Sequence, residues 1–196
     1  MPEDAQLSDS DGVFLVKTAR TAVTEFLSNG KRIKLESESE KKFSFNAGVF
    51  VTLNNADGLR GCIGFPMPDK KLSHGIIDAA IAAATEDPRF SPVKINELNN
   101  IVFEVTVLTP PVEITVTDPM EYLEKIKVGR DGLIIRNSFS SGLLLPQVPV
   151  EYGWNVEEFL QHTCEKAGLE KDTWKNEKVK IEKFEGIVYK ERANGS

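Results

Sequence analysis

The chain has 196 residues, of which 28% are charged and 40% apolar, and a formal net charge of -6. That length fits one domain or two small lobes sharing a core, and both fractions lie near globular averages, which excludes a disordered chain. The acidic balance argues against a general grip on nucleic acid, which draws its affinity from clustered Lys and Arg, and leaves open only a local basic groove. Met1-Pro2-Glu3-Asp4 carries neither the basic nor the apolar part of an export signal, and no segment reaches about 18 uninterrupted apolar residues. Cys62 and Cys164 are too few for a disulfide framework and read as thiols. The expectation is a soluble, cytoplasmic protein with no membrane partner.

From Ser8 to Asn29, Leu15, Ala19, Ala22, Val23, Phe26 and Leu27 recur at helical spacing, with Ser8 or Asp9 as a start and Gly30 as a stop. Lys31 to Lys42 mixes charges without apolar period and reads as an exposed connection. Ala47, Val49, Val51 and Leu53 then alternate as one face of a strand. The turn residues Asn54-Asn55-Ala56-Asp57-Gly58 lead into a second strand from Leu59 to Phe65, making a hairpin. Pro66-Met67-Pro68 stops it, and Asp69 is placed to cap a helix whose buried side holds Leu72, Ile76, Ala80, Ile81, Ala83 and Ala84. After Asp87-Pro88-Arg89-Phe90-Ser91-Pro92, the alternation of Ile101, Phe103, Val105 and Val107 predicts another strand, ended by Pro110-Pro111.

The second half repeats this order. Asp118-Pro119 with Glu121 opens a short helix to about Ile126. Leu133 to Arg136 and Leu143 to Leu145 flank the turn Asn137 to Gly142 as a second hairpin, ending at Pro146. Asn155 with Glu158 caps a helix carrying Val156, Phe159, Leu160 and Cys164, with Gly168 at its close and Trp154 and Trp174 as anchors. A last strand runs from about Val179 to Tyr189, distorted around Glu185-Gly186. Hairpin, proline-rich loop, helix and strand thus occur twice. The plan is α+β, with mostly antiparallel sheets covered by helices in two lobes of one domain spanning 1–196.

The most unusual stretch is Leu59-Arg60-Gly61-Cys62-Ile63-Gly64. Strand alternation puts Leu59, Gly61 and Ile63 on one face and Arg60, Cys62 and Gly64 on the other, so that a guanidinium and a thiol share a face between glycines that leave backbone clearance. A cation beside a thiol favours the thiolate, which makes Cys62 a candidate nucleophile. The competing reading is a small buried Cys62, an Arg60 paired with a carboxylate, and glycines marking a bulge. His74, early in the following helix, is a candidate base for that thiol or simply a surface histidine. Asp87 and Arg89 either bind an anion or bond backbone and each other, with Phe90 plugging the core. Gln147, after an apolar strand and Pro146, is a candidate for lining a cleft between the lobes. Cys62, His74, His162 and Cys164 lack the short paired spacing of zinc sites, so no metal is expected; His162 and Cys164, two apart on a helix, point in different directions. Glu104 and Glu113 are single acids at strand positions. Phosphate-binding glycine loops, a nucleophile-elbow serine and Cys-x-x-Cys are all absent, so no cofactor is expected.

Gly48-Val49-Phe50-Val51-Thr52-Leu53, Leu59-Arg60-Gly61-Cys62-Ile63-Gly64, Asp87-Pro88-Arg89-Phe90-Ser91-Pro92 and Gly142-Leu143-Leu144-Leu145-Pro146-Gln147-Val148 together resemble the AMMECR-domain family of archaea, bacteria and eukaryotes. The likeness covers nearly the whole chain. It implies a two-lobed α+β protein with a larger and a smaller subdomain, and it carries no cofactor. It also implies a stand-alone protein or one joined to a Memo-type domain, associated with radical SAM enzymes, with the motif cysteine a focus for catalysis and the fold for nucleotide or nucleic-acid work.

Three functions compete. The first is a thiol-dependent enzyme or modification-pathway protein with a cleft around Arg60 and Cys62. The second is a non-catalytic binding module for a nucleotide, RNA or peptide, in which Arg60, Gly61, Gly64, Asp87, Arg89 and Gln147 bind and Cys62 is structural. The third is a partner-docking protein, for which the amphipathic first helix is the candidate surface. The partner is accordingly an unidentified small molecule, nucleotide or protein.

Overall fold

The computed structural model describes residues 7–176 and 179–191. The chain divides into two compact units, the first made of residues up to Leu108 and from Ile187 on, the second of Thr109–Gly186.

In the first unit, helix α1 (Asp9–Asn29) starts at a reciprocal cap in which Ser8 and Asp11 satisfy each other's backbone N–H, and ends at Gly30 in the left-handed conformation that glycine adopts without strain. Strands β1 (Val49–Asn55) and β2 (Gly58–Phe65) form the expected hairpin, and β3 (Val102–Leu108) pairs antiparallel with the other side of β1. Alternation makes one face of this sheet apolar. Val49, Val51, Leu53, Phe103, Val105 and Val107 are all fully buried. Helix α3 (Leu72–Thr85) lies on that inner face against β1 and β2, and α1 packs on α3 and β3. The alanines of α3 let it approach closely: a Cβ at Gly61 would stand 2.2 Å from the Ala83 carbonyl oxygen. The first helix therefore has its partner within the unit, and its Leu15, Ala19, Ala22 and Val23 belong to the core.

Three expectations in this half are corrected. The connection after α1 contains a six-residue helix, α2 (Ser37–Lys42), with no buried residue; acids in its first turn and lysines in its last complement the helix dipole. Too short to stand alone, it is held by Lys42 to Asp11 at 2.5 Å and by Glu40 to His74 at 3.4 Å. The cap of α3 is Lys71 rather than Asp69, and the first N–H groups of that helix go to backbone instead, Leu72 to Phe45 O and Ser73 to Phe43 O. Leu59 leaves the inner face because a bulge intervenes: Leu53 pairs with Gly61 but Asn54 with Leu59, which leaves Arg60 without an opposite number and Leu59 exposed.

In the second unit the expected hairpin is β5 (Asp131–Arg136) with β6 (Ser141–Leu144), and β7 (Lys180–Lys190) pairs antiparallel with β5. That last strand runs uninterrupted through Glu185-Gly186. Its residues from Ile187 on belong to the first unit, where Glu191 N–H donates to Phe103 O. Pro110-Pro111 follow the end of β3 as expected, and just after them a two-residue strand, β4 (Val112–Glu113), pairs with β7. Asp118 caps a 3-10 turn that passes into α4 (Tyr122–Lys125), as its spacing predicts. Gln147–Tyr152, read as loop, forms α5 despite Pro149. Asn155 and Glu158 form the reciprocal cap of α6 (Val156–Lys166). This unit has its own core of Leu133, Ile135, Phe159, Leu160, Cys164, Trp174 and Ile181.

Candidate functional site

Cys62 lies on the outer face of the first unit's sheet, opposite the face covered by α3. The strand register puts it beside Thr52, and Thr52 beside Glu104, so that a thiol, a hydroxyl and a carboxylate run in one row across β2, β1 and β3. All three are half-buried. The Thr52 hydroxyl donates to Cys62 Sγ at 3.3 Å, and Glu104 makes no hydrogen bond or ion pair among the described residues. Residue type and spacing do not single out Thr52, and they mark Glu104 only as a single acid. Their signal was the alternation itself, which places 52 and 104 on the face away from Val51, Phe103 and Val105.

β2 is an edge strand in this unit, and its backbone at Cys62 is completed by side chains. Asp87, 5% exposed, accepts from Cys62 N–H at 2.8 Å, while Arg89 Nη2 donates to Cys62 O at 3.5 Å. The two side chains also bind each other: Arg89 Nη2 donates to one Asp87 oxygen at 2.7 Å and Arg89 Nε to the other at 3.0 Å. The Arg89 side chain is the largest cause that holds the Asp87 carboxyl well below the usual carboxylate range, and the backbone N–H groups of Cys62 and Arg89 help it outweigh burial, which acts the other way. The loop Asp87-Pro88-Arg89 thus substitutes for a neighbouring strand at this one point and blocks further pairing there. Phe90 is half-buried beneath the Arg89 guanidinium, not a core plug.

Arg60 does not serve the thiol. Its Nε and Nη2 donate to the two oxygens of Glu97 at 2.9 and 3.2 Å, and its Nη1 donates to Ser91 O at 2.9 Å. Its charge is neutralised in a paired, mostly buried arrangement that lowers the Glu97 carboxyl. The glycines do not open the site either. The space a side chain would need at Gly61 is taken by the Ala83 carbonyl, and at Gly64 by the Phe50 ring, whose Cδ1 would lie 2.3 Å from an added Cβ. Both clearances serve packing.

His74 is not brought to Cys62. It belongs to α3, which covers the inner face, and is exposed beside Glu40. Gln147 is the exposed first residue of α5, in the second unit, whereas Arg60, Gly61, Cys62, Gly64, Asp87 and Arg89 all belong to the first. Cys164 is fully buried, and burial pushes its thiol up to about 11. Its neighbour His162 points elsewhere, stacked on Trp154. Among the described residues no three of His, Cys, Asp and Glu gather in a way that would hold a metal ion, and no helix is long and apolar enough to cross a membrane.

Protein MJ0810 of Methanocaldococcus jannaschii is similar to this chain, 52% identical over 187 residues that cover 94% of the chain and 92% of the relative. Protein PYRAB00100 of Pyrococcus abyssi is 50% identical over 192 residues, covering 95% and 93%. The crystal structure of the uncharacterized protein PH0010 from Pyrococcus horikoshii matches with a TM-score of 0.78 at 50% identity, over 95% of this chain and 94% of that one. The family model AMMECR1 matches residues 16–189, and on that span, with the α+β fold held in common, the chain belongs to the AMMECR1 family.

Proposed function

We propose that this chain is a cytoplasmic thiol-dependent enzyme or modification-pathway protein acting through Cys62 on the outer face of the β1-β2-β3 sheet. The observation that carries the reading is the sulfur's setting: half-buried, supported by the Thr52 hydroxyl, with its own backbone clamped on both N–H and C=O by the Asp87 and Arg89 side chains. The Thr52 hydroxyl on the sulfur and the clamped backbone together hold the nucleophile in one place. Both cysteines are free thiols, which fits a reducing compartment. The partner is then an electrophilic small molecule or a protein-borne group.

Alkylation of the native protein with iodoacetamide tests the reading. The sulfur forms a bond to carbon, iodide leaves, and the thiol proton passes to buffer. The expected product is a single adduct at Cys62, with Cys164 untouched until the protein unfolds. Thr52→Val, which keeps shape and removes the hydroxyl, should slow the reaction at neutral pH severalfold. A Cys62 that reacts only after unfolding sinks the proposal, and so does an unchanged rate in Thr52→Val.

A binding module with a structural Cys62 is the second reading. It is favoured by the absence, among the described residues, of any histidine or carboxylate hydrogen-bonded to Cys62 Sγ. On that reading Cys62 resists iodoacetamide, and adenosine monophosphate raises the melting temperature of the wild type and of Cys62→Ser alike.

A further inference from the structure

The second unit carries an aromatic stack that the Cys62 reading leaves unused. Helix α5 ends at Gly153 in the left-handed conformation, and this sharp turn brings Tyr152 and Trp154 face to face, with centroids 4.9 Å apart and planes 17° from parallel. Behind Trp154 lies His162 of α6 at 3.9 Å and 20°, and Glu165 holds the imidazole from beyond, 2.7 Å from its Nδ1. Of the three rings, Trp154 and His162 are half-buried and Tyr152 is the exposed one. Tyr152 is 69% exposed, and Val150, on the same helix, is 59% exposed.

The chain that carries the stack is acidic. Between residues 147 and 175 stand six acids, Glu151, Glu157, Glu158, Glu165, Glu170 and Asp172, against three lysines, Lys166, Lys171 and Lys175. Most of the acids are already engaged: Glu157 and Asp172 pair with Lys175, Glu158 caps α6, and Glu165 holds His162 and pairs with Lys171. Glu151, adjacent to Tyr152 and exposed, has no hydrogen bond or ion pair among the described residues. Arg130, which follows the Gly129 turn next to Val150, is committed to Asp131 and Glu185.

Acidic surroundings repel a phosphate backbone, so a base stacking on Tyr152 would bring unfavourable charge with it. A guanidinium meets the opposite situation. It stacks flat on an aromatic ring and presents a planar fork to a carboxylate, whereas an ammonium offers only a point charge. The geometry points to the exposed ring of Tyr152, next along the chain to the exposed Glu151, as a docking site for an arginine-bearing segment of a protein partner.

Calorimetric titration of the full chain with hexa-arginine, hexa-lysine and hexa-adenylate tests this. Hexa-arginine should bind saturably and lose about tenfold in affinity in Tyr152→Ala. Tyr152→Phe should keep the affinity because the ring remains, and Glu151→Gln should weaken it. Hexa-lysine should bind more weakly and respond little to Tyr152→Ala. Equal hexa-arginine affinity in wild type and Tyr152→Ala overturns the inference, as does failure of Tyr152→Phe to keep it. Hexa-adenylate binding that depends on Tyr152 assigns the stack to nucleic acid instead and overturns it too. None of these readouts involves Cys62.

Discussion

Asp87 shows how one buried carboxylate settles the meaning of a motif. It accepts from Cys62 N–H and from three donors of Arg89, so the Asp-Pro-Arg run and the Leu-Arg-Gly-Cys-Ile-Gly run, 25 positions apart, form one construction. Asp87→Asn removes the charge that these donors serve and should cost about 1–3 kcal/mol in urea unfolding, the range for a hydrogen bond to a charged or buried group. Its folded pKa is depressed, so its contribution is fully present above the ordinary value of 3.8 and is lost as pH falls towards the folded value. The stability gap between wild type and Asp87→Asn should therefore be constant near neutrality and close progressively below about pH 4. A gap that widens on acidification contradicts this account. At this scale the sequence named the right residues but not their pairings. Arg60 looked like the partner of the thiol because the two share an alternation parity, yet a bulge at that point and Glu97, 37 positions on, withdraw it.

Elements were legible wherever caps and periodicity coincide. Ser8 with Asp11, Asp118 with Glu121 and Asn155 with Glu158 all form the reciprocal caps, the last two as their spacing predicts. Asn155 Oδ1 accepts from Glu158 N–H at 2.9 Å, so Asn155→Ala should lower stability by about 1 kcal/mol while Asn155→Asp leaves it nearly unchanged. Denaturant midpoints with a common slope would check this, and equal loss in both variants would assign the effect to something other than the cap. Elements without an apolar period were illegible. Six-residue α2 buries nothing, and β4 is two residues whose pairing with Lys183 and Glu182 of β7 depends on chain some 70 positions away. Short segments of this kind are decided by what they meet, because their own propensity is too weak to order them.

At the scale of the whole molecule, the chain leaves the first unit at Thr109 and returns to it at Ile187. Tyr189 then lies against Gly12 and donates to Leu7 O, and Glu191 receives Arg20 Nε and the Phe103 N–H. The second unit has a core of its own around Trp174 and Phe159. Residues 109–186 alone should accordingly unfold cooperatively in urea, whereas residues 1–108 without the returning strand should be markedly less stable than the same unit in the full chain. A fragment 109–186 with no cooperative transition would contradict the assignment of an independent core.

The sequence by itself determined the α+β class, both hairpins, the long helices, the core faces and the membership that its motifs signal. These follow from local chemistry: caps satisfy helix ends, alternation sorts strand faces, and turn residues fix the hairpins. Only the tertiary structure decided which side of the sheet α3 covers, and so that His74 is separated from Cys62 while Thr52 and Glu104 are aligned with it. Only it decided that Arg60 is bound by Glu97 and that the glycine clearances are filled by the Ala83 carbonyl and the Phe50 ring. The physical reason is the same in each case: a side chain's partner across a sheet or loop depends on register and packing, which separation along the chain does not encode.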